Sequence, residues 1–452
     1  MHRIISYINQ FISNCFTMRV TIVVSLLWLL MQVLYIYLWK YEVLVSDPGN
    51  YVYYAQECVK HGTIYPDTSF LFNDYIFNSG WINFILLWLH IFGNVKHLPY
   101  VFVIFNAAIL YLTYRISFSL FKSEKTSCLC TYIIILLPSF FTITLHTYSE
   151  LLYVLLSLLS TAFVISKRRH TAYIAGILIA LSIWTRPIAT AWIIGAIVYY
   201  LCRDVDWRSC IKYIASYAAT CTLIAVVTHI NFPDYVYKAN TGGVNLVMGA
   251  NDYARGGYCH EALQKGGLGY IDDDAERVDK PVYLFYPPLS SGNIYCRRRT
   301  NGYTYRQADS IRTARAINWI KQHPKRYAEL TIIKFFRLYE EAPSFVYTYN
   351  KEIKYARQFD RIKRYYEKSG KYLGRFVFTV VFFGFFIWGW RKKELLLLNI
   401  PIILCTGATI LTASEYRYNM VMLPLISIAF SVYISNCYPY IRRMLKRKHI
   451  NG

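Results

Sequence analysis

Charge is scarce in this chain, and negative charge is scarcest. Only 17% of the 452 residues are charged, and Asp and Glu together number 26. A water-soluble domain needs a charged outer face, so this shortage excludes an ordinary soluble enzyme. The 11 cysteines include no CxxC pair, and no His/Cys cluster has the spacing of a metal module. Neither a P-loop nor a GxGxxG pattern occurs, which removes the usual signatures of nucleotide-driven chemistry. Internal repeats and low-complexity tracts are also missing. The first residues lack the basic start, short apolar stretch and small-residue cleavage site of a signal peptide, so the first apolar run is expected to remain as an anchor.

What the chain has is hydrophobicity: 55% of its residues are apolar or aromatic. Uncharged apolar runs of about 20 residues cross a bilayer as helices, because a helix satisfies its own backbone groups. Ten largely apolar spans are expected, the fourth to sixth of them short, at 20–39, 98–119, 127–145, 151–166, 171–185, 188–201, 211–230, 373–390, 395–412 and 419–438. The expected fold is therefore an all-α polytopic membrane protein.

The 49 Lys and Arg residues set the orientation. With the N-terminus in the cytoplasm, Lys122, Lys125, the "KRRH" at 167–170, Arg203, Arg208, Lys212, the "RKKE" at 391–394 and the tail from Arg442 all fall on the inner face, as positive-inside bias requires. The organisation that follows is an N-terminus and first span at 1–39, a first external loop at 40–97, spans two to seven at 98–230, an external segment at 231–372, spans eight to ten at 373–438, and a basic cytoplasmic tail at 439–452. The external segment holds 24 Lys/Arg against 15 Asp/Glu, a net charge of +9. Cys58, Cys259 and Cys296 face outside in this arrangement; a bridge between Cys259 and Cys296 is allowed there, though spacing does not establish it.

The outer face then collects the unusual residues. Asp47 follows the first span in "SDPGNYVYYAQECVKHG", where Asp-Pro-Gly is also good turn chemistry. Behind it Tyr51, Ala55 and Cys58 fall at i, i+4 and i+7, with Tyr54 beside them, as in an amphipathic helix at the membrane surface that Gly62 would end. Glu150, Arg186, Glu415 and Arg417 emerge from span ends on the same face. Ionisable groups at such positions are costly unless paired or wet, which makes them site candidates, although interfacial ion pairing alone accounts for many of them. The apolar stretch at 77–94 is interrupted, and if it crossed it would invert every later loop; it is expected to be interfacial or re-entrant.

Within the external segment, "NTGGVNLVMGANDYARGGYC" is either a surface loop or a place where Gly242, Gly243 and Gly249 let backbone amides reach a phosphate, with Asn245 among them and Arg255 as counter-charge. "AINWIKQHPKRYAELTIIKFFRLYEE" should form two helices parted at His323-Pro324. Lys334 and Arg337 interrupt the second, reaching lipid phosphate or simply snorkelling. Around Tyr355, Phe359, Ile362 and Tyr366 a basic amphipathic helix is expected to lie at the interface before span eight. The outward placement of all this basic charge and the lack of a nucleic-acid module argue for lipid headgroups over nucleic acid. The acidic run at Asp272 to Asp274 reads as a solvated loop, which leaves dependence on a divalent metal open.

Four stretches together resemble the GT-C superfamily of integral-membrane glycosyltransferases: the acid after span one with its Tyr/Ala helix, "TGGVNLVMGAND", "AINWIKQHP", and "SEYRYNMVMLP" before the last span. More narrowly, the chain resembles bacterial family-39-like proteins related to protein O-mannosyltransferases and to the lipid A aminoarabinose transferase. The resemblance implies transfer of a sugar from a polyprenyl-phosphate donor to a glycan, lipid or protein hydroxyl on the non-cytoplasmic face of a bacterial inner membrane. It implies no further cofactor, and it places the catalytic base at Asp47 and a second acid at Glu150. The chain departs from the family where Pro48-Gly49 follows Asp47 and where "NSGW" replaces a common Lys-Pro-Pro. Arg186, Arg255, Lys334, Arg337 and Arg417 are the candidate phosphate ligands, since fixed cations stabilise a departing phosphate. Tyr51, Tyr54, Gly242, Gly243, Asn245 and Glu415 complete the candidate site. Two other readings fit the same features: a transporter or flippase for a lipid-linked glycan, for which no broken helix is discerned in the sequence, and a non-catalytic membrane assembly partner.

Overall fold

The computed structural model describes residues 15–39, 42–43, 47–65, 79–166, 168, 170–231, 241–271, 280–281, 285–286, 293–294, 303, 305–339, 356–389, 392–414 and 416–448. Nearly all of this is helix, and every one of the ten expected spans is helical. The order is α1 (Met18–Trp39), α2 (Asp47–His61), α3 (Ser79–Phe92), α4 (Leu98–Phe121), α5 (Glu124–Leu136), α6 (Pro138–Thr142), α7 (Glu150–Ile165), α8 (Thr171–Thr185), α9 (Thr190–Tyr199), α10 (Trp207–Asn231), α11 (Gly242–Gly249), α12 (Tyr305–Gln322), α13 (Pro324–Leu338), α14 (Ala356–Gly384), α15 (Lys393–Leu411) and α16 (Leu423–Lys448). The described strands are two residues long; Glu42–Val43 pairs antiparallel with Phe285–Tyr286, tying the stretch after α1 to the stretch between α11 and α12.

Among the described residues, five helices are long and apolar enough to cross a membrane alone: Met18–Leu38, Leu98–Phe121, Trp207–Ile230, Lys368–Gly389 and Lys393–Leu411. The expected span at 127–145 is instead a broken one. Glu124–Leu136 and Pro138–Leu145 meet at 61°, because Pro138 has no amide hydrogen to continue the helix and its ring crowds the preceding turn. Asn106 Nδ2 donates to the Phe140 carbonyl at 2.7 Å beyond the break. The spans at 151–166, 171–185, 188–201 and 419–438 correspond to shorter apolar helices, packed inside the bundle. Small residues let those short helices approach: a Cβ at Gly176 on α8 would lie 2.3 Å from the Tyr213 carbonyl of α10, and one at Gly195 on α9 would lie 2.9 Å from the Pro401 ring of α15.

The helix expected after Asp47 forms. α2 begins at Asp47 with Pro48 in its first turn, a position where the missing amide hydrogen costs nothing. It ends at Gly62, whose φ of +63° is the left-handed conformation that closes a helix. Tyr51, Tyr54, Ala55 and Cys58 are all buried on its inner face. The interrupted stretch at 77–94 forms α3, which packs against α2 and α8. α12 and α13 part at His323-Pro324 as expected. The expected interfacial helix before span eight is a difference: α14 is one continuous helix of 29 residues, with no break between basic and apolar parts. Tyr355 lies outside the described residues, and the side chains of Phe359, Ile362 and Tyr366 are not described.

Candidate functional site

One end of the bundle gathers the start of α7, the end of α8, the end of α15 and the turn before α16. Glu150 is the first residue of α7, and its side chain is 0% exposed. Arg186 follows α8 in extended conformation, with 16% of its side chain exposed, and places Nη1 2.5 Å from Glu150 Oε1. Nη1 also donates to Ser149 Oγ at 3.3 Å. The guanidinium then faces the Tyr418 ring, with Cζ 5.5 Å from the ring centre. A buried carboxylate thus holds an arginine that also faces an aromatic ring, a cation–π arrangement.

Tyr418 extends the arrangement to the segment that follows α11. Its hydroxyl is hydrogen-bonded to that of Tyr258, and the Tyr258 hydroxyl donates to Asn245 Oδ1 at 3.4 Å. Glu150, Arg186 and Asn245 therefore belong to one polar chain through two tyrosines that local sequence pattern does not single out. The chain links residues 160 positions apart.

The "HTYSE" turn before α7 is sunk into the protein. His146, Thr147, Tyr148, Ser149 and Glu150 are all buried, where a short polar turn between spans would ordinarily be wet. α3 covers this part of the fold. Trp81 Nε1 donates to the Thr147 carbonyl at 3.0 Å, and Trp184 Nε1 donates to Ser79 Oγ at 3.0 Å. A Cβ at Gly80 would lie 2.7 Å from the Trp184 carbonyl oxygen, so only glycine permits this approach. Ser79, Gly80 and Trp81 thereby grip two segments at once: the one that leads into Glu150 and the one that leads into Arg186.

The other candidates occupy neighbouring elements. Asp47 opens α2 and is half-buried, where the helix N-terminus favours its charge. Tyr51 and Tyr54 are packed into the core, not displayed on a surface. The glycines of α11 serve helix contacts. Asp309 Oδ1 accepts the Gly243 amide at 2.8 Å and the Val244 amide at 3.3 Å, and a Cβ at Gly243 would fall 2.2 Å from the Asp309 carbonyl. A Cβ at Gly249 would similarly meet the Thr412 carbonyl at 1.9 Å. The acceptor met by the Gly243 amide is thus a carboxylate of the same chain, in place of the expected phosphate; at Gly242 a Cβ would find Asp309 Oδ2 at 3.7 Å, which is ordinary contact.

Among the cations, Arg255 is exposed. Arg337 lays its guanidinium along Gly257, where a Cβ would come within 2.5 Å of its Cζ. Lys334 is fully buried; among the described residues its Nζ has no hydrogen-bond partner and sits 5.1 Å from the centre of the Tyr327 ring. Burial alone pushes its pKa down to about 8. Arg417 lies in the turn Tyr416–Asn419, but its side chain is not described, and Glu415 lies outside the described residues. So do Asp272 to Asp274 and Cys296; Cys259 is buried, with its thiol 3.3 Å from Glu261 Oε2. Among the described residues no three His, Cys, Asp or Glu side chains converge as metal ligands.

No protein-family model and no curated protein matches the chain. Among solved structures it is similar to the crystal structure of ArnT from Cupriavidus metallidurans bound to undecaprenyl phosphate, at 11% identity and a TM-score of 0.38, over 92% of this chain and 77% of that one. Neither chemistry nor residue roles follow from a likeness of that degree. The site must be read from its own geometry.

Proposed function

We propose that this membrane protein is a glycosyltransferase that moves a sugar from a polyprenyl-phosphate carrier to a hydroxyl acceptor on the non-cytoplasmic face. The observation that carries the reading is the Glu150–Arg186 pair: an arginine fixed by a wholly buried carboxylate where α8 ends, with its guanidinium set against the ring of Tyr418. Such a cation is preorganised to stabilise an anion, and a departing lipid phosphate is the anion a membrane site would meet.

In this reading Asp47 acts as general base. Its carboxylate takes the acceptor hydroxyl proton as that oxygen attacks the anomeric carbon, and the bond from that carbon to the phosphate oxygen breaks with its electron pair leaving on the phosphate. A single displacement inverts the anomeric centre. Glu150, held against Arg186 and fully buried, is better suited to positioning the arginine than to accepting a proton from substrate. Lys334, Arg337 and Arg255 are assigned in this reading to the donor phosphate as further cations. Replacing Asp47 by Asn tests the base: transfer should fall by orders of magnitude while insertion into the membrane persists.

One observation favours the transporter reading. The 61° break at Leu137-Pro138 is a discontinuous helix of the kind that transporters use around substrate. The two readings part in sealed proteoliposomes holding a lipid-linked sugar. A transferase discharges the sugar to a hydroxyl and leaves the lipid phosphate; a flippase moves the intact lipid between leaflets.

A further inference from the structure

α13 carries two kinds of exposed surface along one stripe. Near its start Lys325 and Glu329 are exposed, as water would require. Further along the same stripe Ile332 is 60% exposed and Phe336 is 66% exposed. Spacings of four, three and four residues keep these four positions on one helical face. The face therefore turns from charged to apolar along the helix axis.

The contacts of α13 with two spans give that gradient a direction. The Tyr327 hydroxyl donates to the carbonyl of Leu411, the last residue of α15, at 2.7 Å. At the other end the Tyr339 hydroxyl is hydrogen-bonded to that of Thr406. Leu411 to Thr406 is roughly 7–8 Å inward along the span, while Tyr327 to Tyr339 is roughly 18 Å along α13. α13 is thus inclined, with its later half deeper. That half packs on the other neighbouring span: Phe335 lies 5.3 Å and 6.0 Å from the rings of Phe378 and Phe382, and Tyr339 stacks on Phe378 at 3.4 Å. On that span Phe383 and Phe386 are also more than half exposed, so the apolar surface continues onto a helix that crosses the bilayer.

We propose that the second half of α13 is sunk into the adjacent membrane leaflet, with Ile332 and Phe336 in contact with acyl chains and Lys325 and Glu329 in water. The occupant of the exposed face is bilayer lipid. A helix with this polarity gradient buries its apolar part in the interface and keeps its charged part at the water boundary. The opposite face is protein: Leu330, Lys334 and Leu338 are buried there at i, i+4 and i+8. This proposal is independent of the enzyme reading and holds for a transferase or a transporter.

The test places the photoreactive residue p-benzoylphenylalanine at 325, 329, 332 or 336 in the full chain, reconstituted in nanodiscs of phosphatidylethanolamine and phosphatidylglycerol. After irradiation, mass spectrometry should find phospholipid adducts at 332 and 336 and at least tenfold less at 325 and 329. Equal labelling at all four positions, or cross-links from 332 and 336 to protein in place of lipid, would overturn the proposal. As a measurement free of substitutions, a phospholipid with a diazirine in its acyl chain should label the unaltered chain on the peptide holding Ile332 and Phe336. Labelling of the spans that omits this peptide would also overturn it.

Discussion

Glu150 Oε1 lies 2.5 Å from Arg186 Nη1, and the carboxylate is wholly removed from water. Neither residue is stable there alone, because an isolated buried charge costs several kcal/mol. The pair fixes the end of α8 to the start of α7 and leaves a guanidinium edge facing Tyr418. Glu150→Gln keeps the shape but removes the counter-charge. It should lower stability in detergent by about 3–5 kcal/mol or shift the arginine from its place, with a fall in phosphate binding. The double variant with Arg186→Met should lose far less than the sum of the single losses, as thermal unfolding of the four proteins in a mutant cycle would show.

The tyrosine link can be cut without disturbing the rings. Tyr258→Phe and Tyr418→Phe each remove one hydroxyl of a hydrogen-bonded pair that joins the turn before α16 to the segment after α11. Each should cost about 1 kcal/mol, and the double variant should cost little more than either single one. Limited proteolysis of residues 241–271 should speed up in all three. Unchanged protection would show that the hydroxyl pair does not hold that segment in place.

Gly80 and Trp81 should prove sensitive although neither touches the ion pair. Gly80→Ala brings a methyl group into the Trp184 carbonyl and should cost roughly 1–3 kcal/mol. Trp81→Phe keeps an aromatic ring but strips the donor from the buried Thr147 carbonyl, a loss of about 1–3 kcal/mol. Both are read from unfolding temperature in the same detergent.

Lys334 gives a pH signature. Below about pH 8 its amine is protonated in both folded and unfolded chains, and the folded chain bears the desolvation cost. Between pH 8 and the ordinary lysine value of about 10.4, the folded chain sheds its proton first, so Lys334 makes stability rise with pH in that window. Lys334→Met should raise stability at pH 7 and flatten this rise. If an anion occupies the site it restores the charge, and phosphate binding should weaken as pH climbs through 8 in the native protein alone.

Much of the architecture is written in local pattern. Uncharged runs mark the helices of the bundle, Gly62 ends α2, and Pro324 parts α12 from α13, because each of these acts over a few bonds. Pro138 carried the same kind of signal within the apolar run at 127–145, where uniform hydropathy hides a break that proline geometry dictates. Glu150 and Arg186 were legible as ionisable residues at span ends, but their pairing was not. Tyr258 and Tyr418 are two of 43 tyrosines, and only the fold brings their hydroxyls together. Likewise "HTYSE" reads as a polar turn; it is buried because α3 packs over it through Trp81, a contact 66 residues distant in sequence. The glycines of α11 read from sequence as either a surface loop or a phosphate cradle, whereas close helix packing and Asp309 account for Gly243.

The central claim is that a polyprenyl-phosphate sugar is discharged with Asp47 as base. Mass spectrometry of the lipids that copurify with the native chain and with Asp47→Asn, each incubated in proteoliposomes with total membrane lipid, tests it most directly. The account predicts polyprenyl phosphate with the native chain and the sugar-loaded lipid retained with Asp47→Asn. Loss of the sugar to the same extent from both proteins would contradict it.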